Sequence, residues 1–385
     1  MKIVIAPDSF KGNLSSLQVA SAIEKGIRRV LPGAKCVKVP MADGGEGTVQ
    51  ALVDARGGRY ITRQVCGPMK EKVRARYALL ADGETAVIEM AEASGLPLVE
   101  GRRKNPLKAT TYGTGELMAH AINKGAKKII LGIGGSATND AGAGMAQALG
   151  VRFLTQAGRV LEAGIGGGAL QRIERIDTSA IHPGLGRCKV VAACDVNNPL
   201  CGKRGASHVF GPQKGASPAM VNKLDQNLRH FGKLVKSQLG VNILTIKGAG
   251  AAGGIGGGLV AFTGARLRSG IDIVVEATDL RSHLKKADLV ITGEGRVDSQ
   301  TPFGKTPAGV ARAAARYRVP VIAIGGGLAD DANRVFDHGI DGLDSAISRD
   351  MSLEEALVNS RRYIANAAER SLRMILAGKK MARRR

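Results

Sequence analysis

The sequence predicts an α/β protein: a parallel-sheet domain built from both chain ends, residues 1–62 and 284–385, plus an inserted α/β domain with a mixed sheet over residues 63–283. Three observations predict it. At both ends a short apolar run leads into an acidic or glycine loop and then an amphipathic stretch, the order that a parallel sheet imposes. From about Ile61 to His283 a hairpin signal and loop-rich segments interrupt that order. The 53 glycines, about twice the average share, gather at the ends of apolar runs, where they serve turns and ligand loops. A chain of 385 residues also exceeds what one ordinary core supports.

Taken in order, residues 2–6 (KIVIA) read as a strand and residues 8–13 as a polar loop. Ser15 or Ser16 then caps a helix whose Val19, Ile23, Ile27 and Val30 or Leu31 share one face until Pro32 and Gly33 stop it. Residues 36–39 form a second strand, 43–47 a loop and 48–55 a second helix. In the inserted domain, runs 74–80 and 85–90 flank Asp82-Gly83 as a hairpin. Helices follow over 115–123, 144–149 and 218–239, with strands at 129–131 and 189–193. The run 272–277 (DIVVEA) also reads as a strand. The first pattern then returns, with strands at 289–291, 319–324 and 342–347, a helix opened and capped by Thr306-Pro307, and a closing helix over 352–376.

The formal charge of +23 draws anions, yet the lysines and arginines are scattered, tryptophan is absent and aromatics make up 3%. That leaves few stacking platforms, so nucleic-acid binding is not expected. The dense basic tail, residues 379–385, reads as a solvated end. Five cysteines, odd in number and without CxxC spacing, exclude a disulfide framework and a zinc site and point to the cytoplasm. Residues 3–6 are too short a run for a signal peptide, and the uncharged run 248–265 is mostly glycine, so no membrane span is expected.

Residues 129–144 (IILGIGGSATNDAGAG) join a buried strand to a turn whose Gly132, Gly134 and Gly135 leave amides free to wrap an anion. Ser136, Thr138, Asn139 and Asp140 follow, suited to capping a helix or holding a phosphate or a metal ion. In an open parallel sheet ligands lie beyond the carboxyl ends of the strands. Three such loops should therefore face one crevice, carrying Asp8 with Lys11, Asp43 with Glu46, and Glu294 with Asp298 and Lys305. Carboxylates beside lysines suit Mg²⁺ and phosphate.

Two motifs are false friends. SQTPFGKT (299–306) lacks the first glycine of a P-loop, although Lys305 still stands at a helix N-terminus, and GAGAAG (248–253) lacks a ribose-binding acid at the end of the following strand. Asp195, with Asn197 and Asn198 at a strand end, competes with Asp140 and Asn139 as base or metal ligand in the inserted domain. The six histidines show no pairing.

These segments resemble the bacterial type I glycerate kinases, through IAPDSFKG (5–12), PMADGGEGT (40–48), AVIEMAEASGL (86–96), TTYGTGEL (110–117), IGGSATNDAGAGMAQALG (133–150), ACDVNNPL (193–200), VFGPQKGA (209–216), KGAGAAGG (247–254) and VITGEGRVDSQT (290–301). The resemblance spans nearly the whole chain. It implies a flavodoxin-like domain from both chain ends and a restriction-enzyme-like insertion. It also implies ATP-dependent phosphorylation of D-glycerate, on the 2-hydroxyl, giving 2-phosphoglycerate and ADP. The residues further lead us to expect Mg²⁺ and a cytoplasmic monomer or homodimer without nucleic-acid or membrane partners. Its motif positions fall on Asp8, Lys11, Asp43, Glu46, Asn139, Asp140, Asp195, Lys214, Glu294, Asp298 and Lys305.

From its place at a strand end Asp195, ahead of Asp43, is expected to be the base, with Lys11 and Asp8 beside the chemistry. Glu46, Glu294 and Asp298 would hold metal. Gly134, Gly135, Ser136, Thr138, Asn139, Asp140, Lys214 and Lys305 would hold ATP phosphates, and Ser9, Asn198 and Arg296 the acid. The alternatives are the 3-hydroxyl, another small hydroxy acid, or a non-enzymatic polyanion binder. Two departures from the family pattern are Lys70 in GPMK, where GPLG is usual, and Gly325–Gly327 in place of an Ala-Gly-Ser-like turn.

Overall fold

The computed structural model describes residues 1–382, apart from the side chain of Arg102; residues 383–385 of the basic tail lie outside the described residues. The chain forms two compact units, Met1–Arg56 with Gly270–Arg385, and Gly57–Ser269. Strands β1 (Lys2–Ile5) and β2 (Lys35–Lys38) lie in the first segment. The middle holds β3 (Gly58–Cys66), β4 (Lys72–Leu80), β5 (Thr85–Glu89), β6 (Lys128–Gly132), β7 (Arg152–Leu154), β8 (Arg175–Asp177), β9 (Lys189–Ala193) and β10 (Arg266–Arg268). The last segment holds β11 (Leu289–Val297), β12 (Val321–Leu328) and β13 (Gly342–Ser345).

The expected boundaries at 62/63 and 283/284 shift to 56/57 and 269/270, and each shift has a packing reason. The expected boundary at 62/63 cuts through β3, which pairs antiparallel with β4 from Gly58↔Leu80 to Cys66↔Lys72 and so belongs wholly to the second unit. The run expected to be a strand at 272–277 is instead the helix Gly270–Ala277. Its β-branched residues prefer strands, but local propensity is weak against packing. Gly270 comes so near the Asp43 carbonyl that a Cβ would lie 2.0 Å from it, and Ile271 fills the space at Gly309, where a Cβ would meet its Cγ1 at 2.1 Å.

The first unit is one parallel sheet of order β2-β1-β11-β12-β13. Counted within the unit this is 2-1-3-4-5, the flavodoxin-like order, with its reversal between β1 and β11. The helix Ser16–Val30 starts at a capping box, the Ser15 hydroxyl accepting the Gln18 amide while the Gln18 side chain accepts the Ser15 amide. It buries Val19, Ile23 and Ile27 in the same core as Tyr363, Ile364 and Leu372. The expected closing helix is two, Leu353–Val358 and Ser360–Ala382, with Asn359 between them and Ser352 capping the first. The helix Thr306–Ala315 has Lys305, not Thr306, at its N-cap, because the Thr306 hydroxyl is used elsewhere.

The second unit holds a mixed sheet of order β10-β9-β6-β5-β4-β3 and a two-stranded ribbon, β7-β8. In the mixed sheet β5, β6, β9 and β10 run parallel, whereas β3, β4 and β5 form the antiparallel meander whose second hairpin the sequence announces at Asp82-Gly83. The glycines of residues 248–258 serve close backbone approach. A Cβ at Gly253 would sit 1.9 Å from the Thr138 carbonyl, and one at Gly258 2.1 Å from that of Ala141. No helix among the described residues is long and apolar enough to cross a membrane.

Gly26 tests the helix contact in the first unit. On propensity alone Gly26→Ala would stabilise a mid-helix site by about 1 kcal/mol. Here the new Cβ would lie 2.1 Å from the Ala365 carbonyl, and such overpacking costs about 1–3 kcal/mol. The expected result is net destabilisation in urea denaturation; a gain in stability would disprove the close contact.

Candidate active site

In the first unit the parallel strands deliver their loops to one place. The Ala6 amide donates to the Ile291 carbonyl and the Asp8 amide to that of Gly293, both at 2.8 Å, so the β1 loop leaves alongside β11. Asp8, Ser9, Lys11, Asp43, Glu294, Arg296, Asp298 and Lys305 then line a single cavity of about 640 Å³. The three loops singled out in the sequence thus meet. Glu46 is exposed and outside the cavity lining, although its charge acts on Lys11.

Asp8 is 4% exposed. Its Oδ2 accepts the Thr306 hydroxyl at 2.5 Å and its Oδ1 the Ser9 amide at 2.6 Å. Burial, reinforced by the charge of Asp43, pushes its carboxyl up to about 7 against the pull of these donors. Lys11 lies 3.3 Å from Asp43 Oδ2; burial would lower its affinity for the proton, but Asp43 and Asp8 outweigh this and raise it.

Lys305 bridges Glu294 Oε2 at 3.4 Å and Asp298 Oδ1 at 3.1 Å. Burial raises the Glu294 carboxyl although Thr301 donates to it at 2.6 Å. For Asp298 burial is outweighed by Lys305 and the Gln300 amide, and the carboxyl is lowered. Among the described residues no group of three or more His, Cys, Asp or Glu is gathered to hold a metal. The expected set of Glu46, Glu294 and Asp298 is therefore not a preformed cage, since Glu46 faces solvent and Lys305 occupies the space between the other two.

In the second unit the glycine-dense stretch turns inward. Gly134 and Gly135 are exposed, but Ser136, Thr138, Asn139, Asp140 and Lys214 are all buried. Asp140 Oδ2 accepts the Thr111 amide and hydroxyl, both at 2.8 Å, and the Gly144 amide at 3.2 Å, while Oδ1 accepts the Gly142 amide at 3.2 Å. Burial pushes this carboxyl up, and those donors pull it back.

The Lys214 Nζ donates to the Ser136 hydroxyl and the Thr138 carbonyl, both at 2.6 Å. Burial brings it down to about 7, with Asp140 opposing. Asn139 Oδ1 accepts the Ser207 hydroxyl at 3.2 Å, whereas Asn139 Nδ2 and Thr138 Oγ1 are buried without a partner. The block expected to hold phosphate is thus buried, and Asp140, Lys214 and the Asn139 oxygen tie together the loops around it, while Asn139 Nδ2 and Thr138 Oγ1 remain unspent. Asp195 is exposed just beyond β9, and Asn198 Nδ2 donates to the Arg204 carbonyl at 2.8 Å.

Sequence reasoning missed Thr301 and Thr306, whose hydroxyls hold the two buried carboxylates. Thr306 looked like a helix cap, and the capping pattern hid its second use. It also missed the apolar side of the cavity, including Phe10, Leu328, Ile347, Leu353 and Leu357.

Residues 3–376 match the glycerate kinase family, and the glycerate kinase of Bacillus subtilis strain 168 is 54% identical over 383 residues, covering 100% of this chain and 99% of the relative. The chain belongs to the glycerate kinase family. The glycerate 2-kinase of Escherichia coli K12 is 51% identical over 368 residues, 96% of each chain. A crystal structure of a candidate glycerate kinase 2 from Salmonella typhimurium LT2 matches with a TM-score of 0.91 at 49% identity, covering 99% of each chain. For a glycerate kinase family member, lysines and carboxylates around a cavity at the switch point of a parallel sheet are the side chains that phosphoryl transfer employs.

The raised Asp8 carboxyl makes a stability prediction. An unfolded aspartate ionises near 4, whereas Asp8 keeps its proton in the folded chain to about 7, so its ionisation costs stability progressively as pH rises through that window. Asp8→Asn should therefore be better tolerated at pH 8 than at pH 4. The difference should be a few kcal/mol at most, at about 1.4 kcal/mol per pK unit. Urea unfolding at both pH values measures it, and equal effects would contradict the burial of this charge.

Proposed function

We propose that this chain transfers the γ-phosphoryl group of ATP to the 2-hydroxyl of D-glycerate, giving 2-phosphoglycerate and ADP, in the cavity of its first unit. One observation carries the reading: a buried carboxylate that takes its proton near neutrality, Asp8, stands in the wall of a cavity lined by lysines and carboxylates. The support from kinship is about 50% identity to proteins named glycerate kinase and glycerate 2-kinase.

Asp8, in preference to the exposed Asp195, is the base. A carboxylate has about four lone-pair sites. Thr306 and the amide and hydroxyl of Ser9 take three of them, which leaves one for the substrate hydroxyl. Asp8 accepts that proton as the 2-oxygen attacks the γ-phosphorus, the bond from phosphorus to the bridging oxygen breaks, and ADP departs. Arg296 and Lys11 hold the glycerate carboxylate and the transferring phosphoryl group. Lys305, at the start of the helix Thr306–Ala315, adds a positive charge where the helix dipole already favours an anion.

Magnesium needs only one or two carboxylates beside phosphate oxygens, and Asp43 and Asp298, each with a side chain about a quarter exposed, suit that role. When bound it would neutralise phosphate charge during transfer. Five free cysteines fit a reducing, cytoplasmic setting.

A coupled assay tests the activity: ADP release should require both D-glycerate and Mg²⁺. NMR of the product separates 2- from 3-phosphoglycerate. Salt-sensitive DNA binding without turnover would instead favour a polyanion binder. Asp8→Asn should lower kcat by at least ~100-fold, and the wild-type rate should fall as pH drops below about 7, where Asp8 takes up its proton. A larger loss in Asp195→Asn than in Asp8→Asn would move the base to Asp195.

A further inference from the structure

The cavity of the first unit is lined by two chemically different sets of residues. One carries the carboxylates and lysines already described. The other is aliphatic, formed by Leu328 at the end of β12, Ile347 after β13, and Leu353 and Leu357 on the helix Leu353–Val358. These four are 41%, 40%, 73% and 43% exposed. Single exposed aliphatics are ordinary, but four from three chain segments on one cavity rim mark a binding surface.

Bare backbone at Gly326 and Gly327 also lines the cavity. A Cβ at Gly326 would lie 2.4 Å from the Gly295 carbonyl, so that glycine is needed for packing. Gly327 is different: it does not have the left-handed φ that favours glycine, and a Cβ there would meet no protein atom within 4 Å. Neither backbone conformation nor neighbours call for a glycine at 327, yet a side chain there would fill the cavity.

Glycerate, a three-carbon polar acid, has nothing to place against four aliphatic side chains. A ligand with a flat, weakly polar ring at one end and a polyanion at the other uses both sets, and the cavity of about 640 Å³ falls within the range of sites that hold such molecules. We propose that the aliphatic rim and the bare Gly326–Gly327 backbone hold the nucleoside of the nucleotide, with its phosphates directed to Lys11 and Lys305. This inference rests on reading the cavity as a kinase site and assigns which part of it meets the base. The rim is also linked to the charged set, since Asn13, two residues from Lys11, donates its Nδ2 to the Leu357 carbonyl at 3.3 Å.

The test uses the full chain and direct binding of ADP by calorimetry, with inorganic triphosphate as a probe of the phosphate end alone. Leu353→Asp/Leu357→Asp should weaken ADP at least tenfold while leaving triphosphate binding and the KM for D-glycerate within twofold. Gly327→Leu, which leaves the helix untouched, should do the same by filling the slot, and keeps the test open should the double variant not fold. Unchanged ADP affinity in a folded variant, equal loss of ADP and triphosphate, or a rise in the D-glycerate KM alone would each overturn the assignment. Wild-type protein that binds ADP in this pattern but does not phosphorylate D-glycerate would instead refute the proposed substrate and leave the nucleoside slot standing.

Discussion

The amide of Asp8 donates to the carbonyl of Gly293, and through that bond two strands from opposite ends of the sequence continue in parallel past the edge of the sheet. Everything reactive in the first unit depends on this alignment. It carries the Asp8 carboxylate into the protein, where water cannot solvate it, and brings it against a threonine from a third segment. A carboxylate held this way costs free energy when ionised. The same cost makes it a better proton acceptor near neutral pH than an exposed aspartate.

The scaffold keeps that arrangement rigid. Ile3 and Ile5 of β1, Leu289 and Ile291 of β11, and Ile322 and Ile324 of β12 are buried in one core with the helices Ser16–Val30 and Ser360–Ala382. Groups placed at the ends of packed strands are held more precisely than groups on free loops. Thr301 and Thr306 complete the arrangement by giving Glu294 and Asp8 fixed hydrogen-bond donors. In the second unit glycines at 253 and 258 let backbones touch, and Lys214 is threaded into the buried polar hub beside them.

Much of this was legible in the residues. The Ser15 cap, the helix Pro218–Leu239, β9 and the antiparallel β4 and β5 follow from local signals that tertiary packing left alone. Three features were not legible. Gly270–Ala277 is helical despite its Ile-Val-Val run, because packing at Gly309 rewards one helical face. β3 belongs with β4, although its mostly polar and exposed sequence carries no mark of its partner. The burial of the polar block 136–140 was not legible either, because short polar residues after glycines read the same whether they face solvent or the protein interior.

By itself the sequence determined the kind of fold and the reaction family. Strand, loop and helix follow one another in an order that only a parallel sheet accommodates, and long ordered motifs do not recur by chance. The tertiary structure decided which of several similar aspartates is buried, which lysines lie beside carboxylates, and which aliphatic side chains line the same cavity as the charged ones. Those properties depend on distance and on the exclusion of water, and both arise between residues that the sequence keeps far apart.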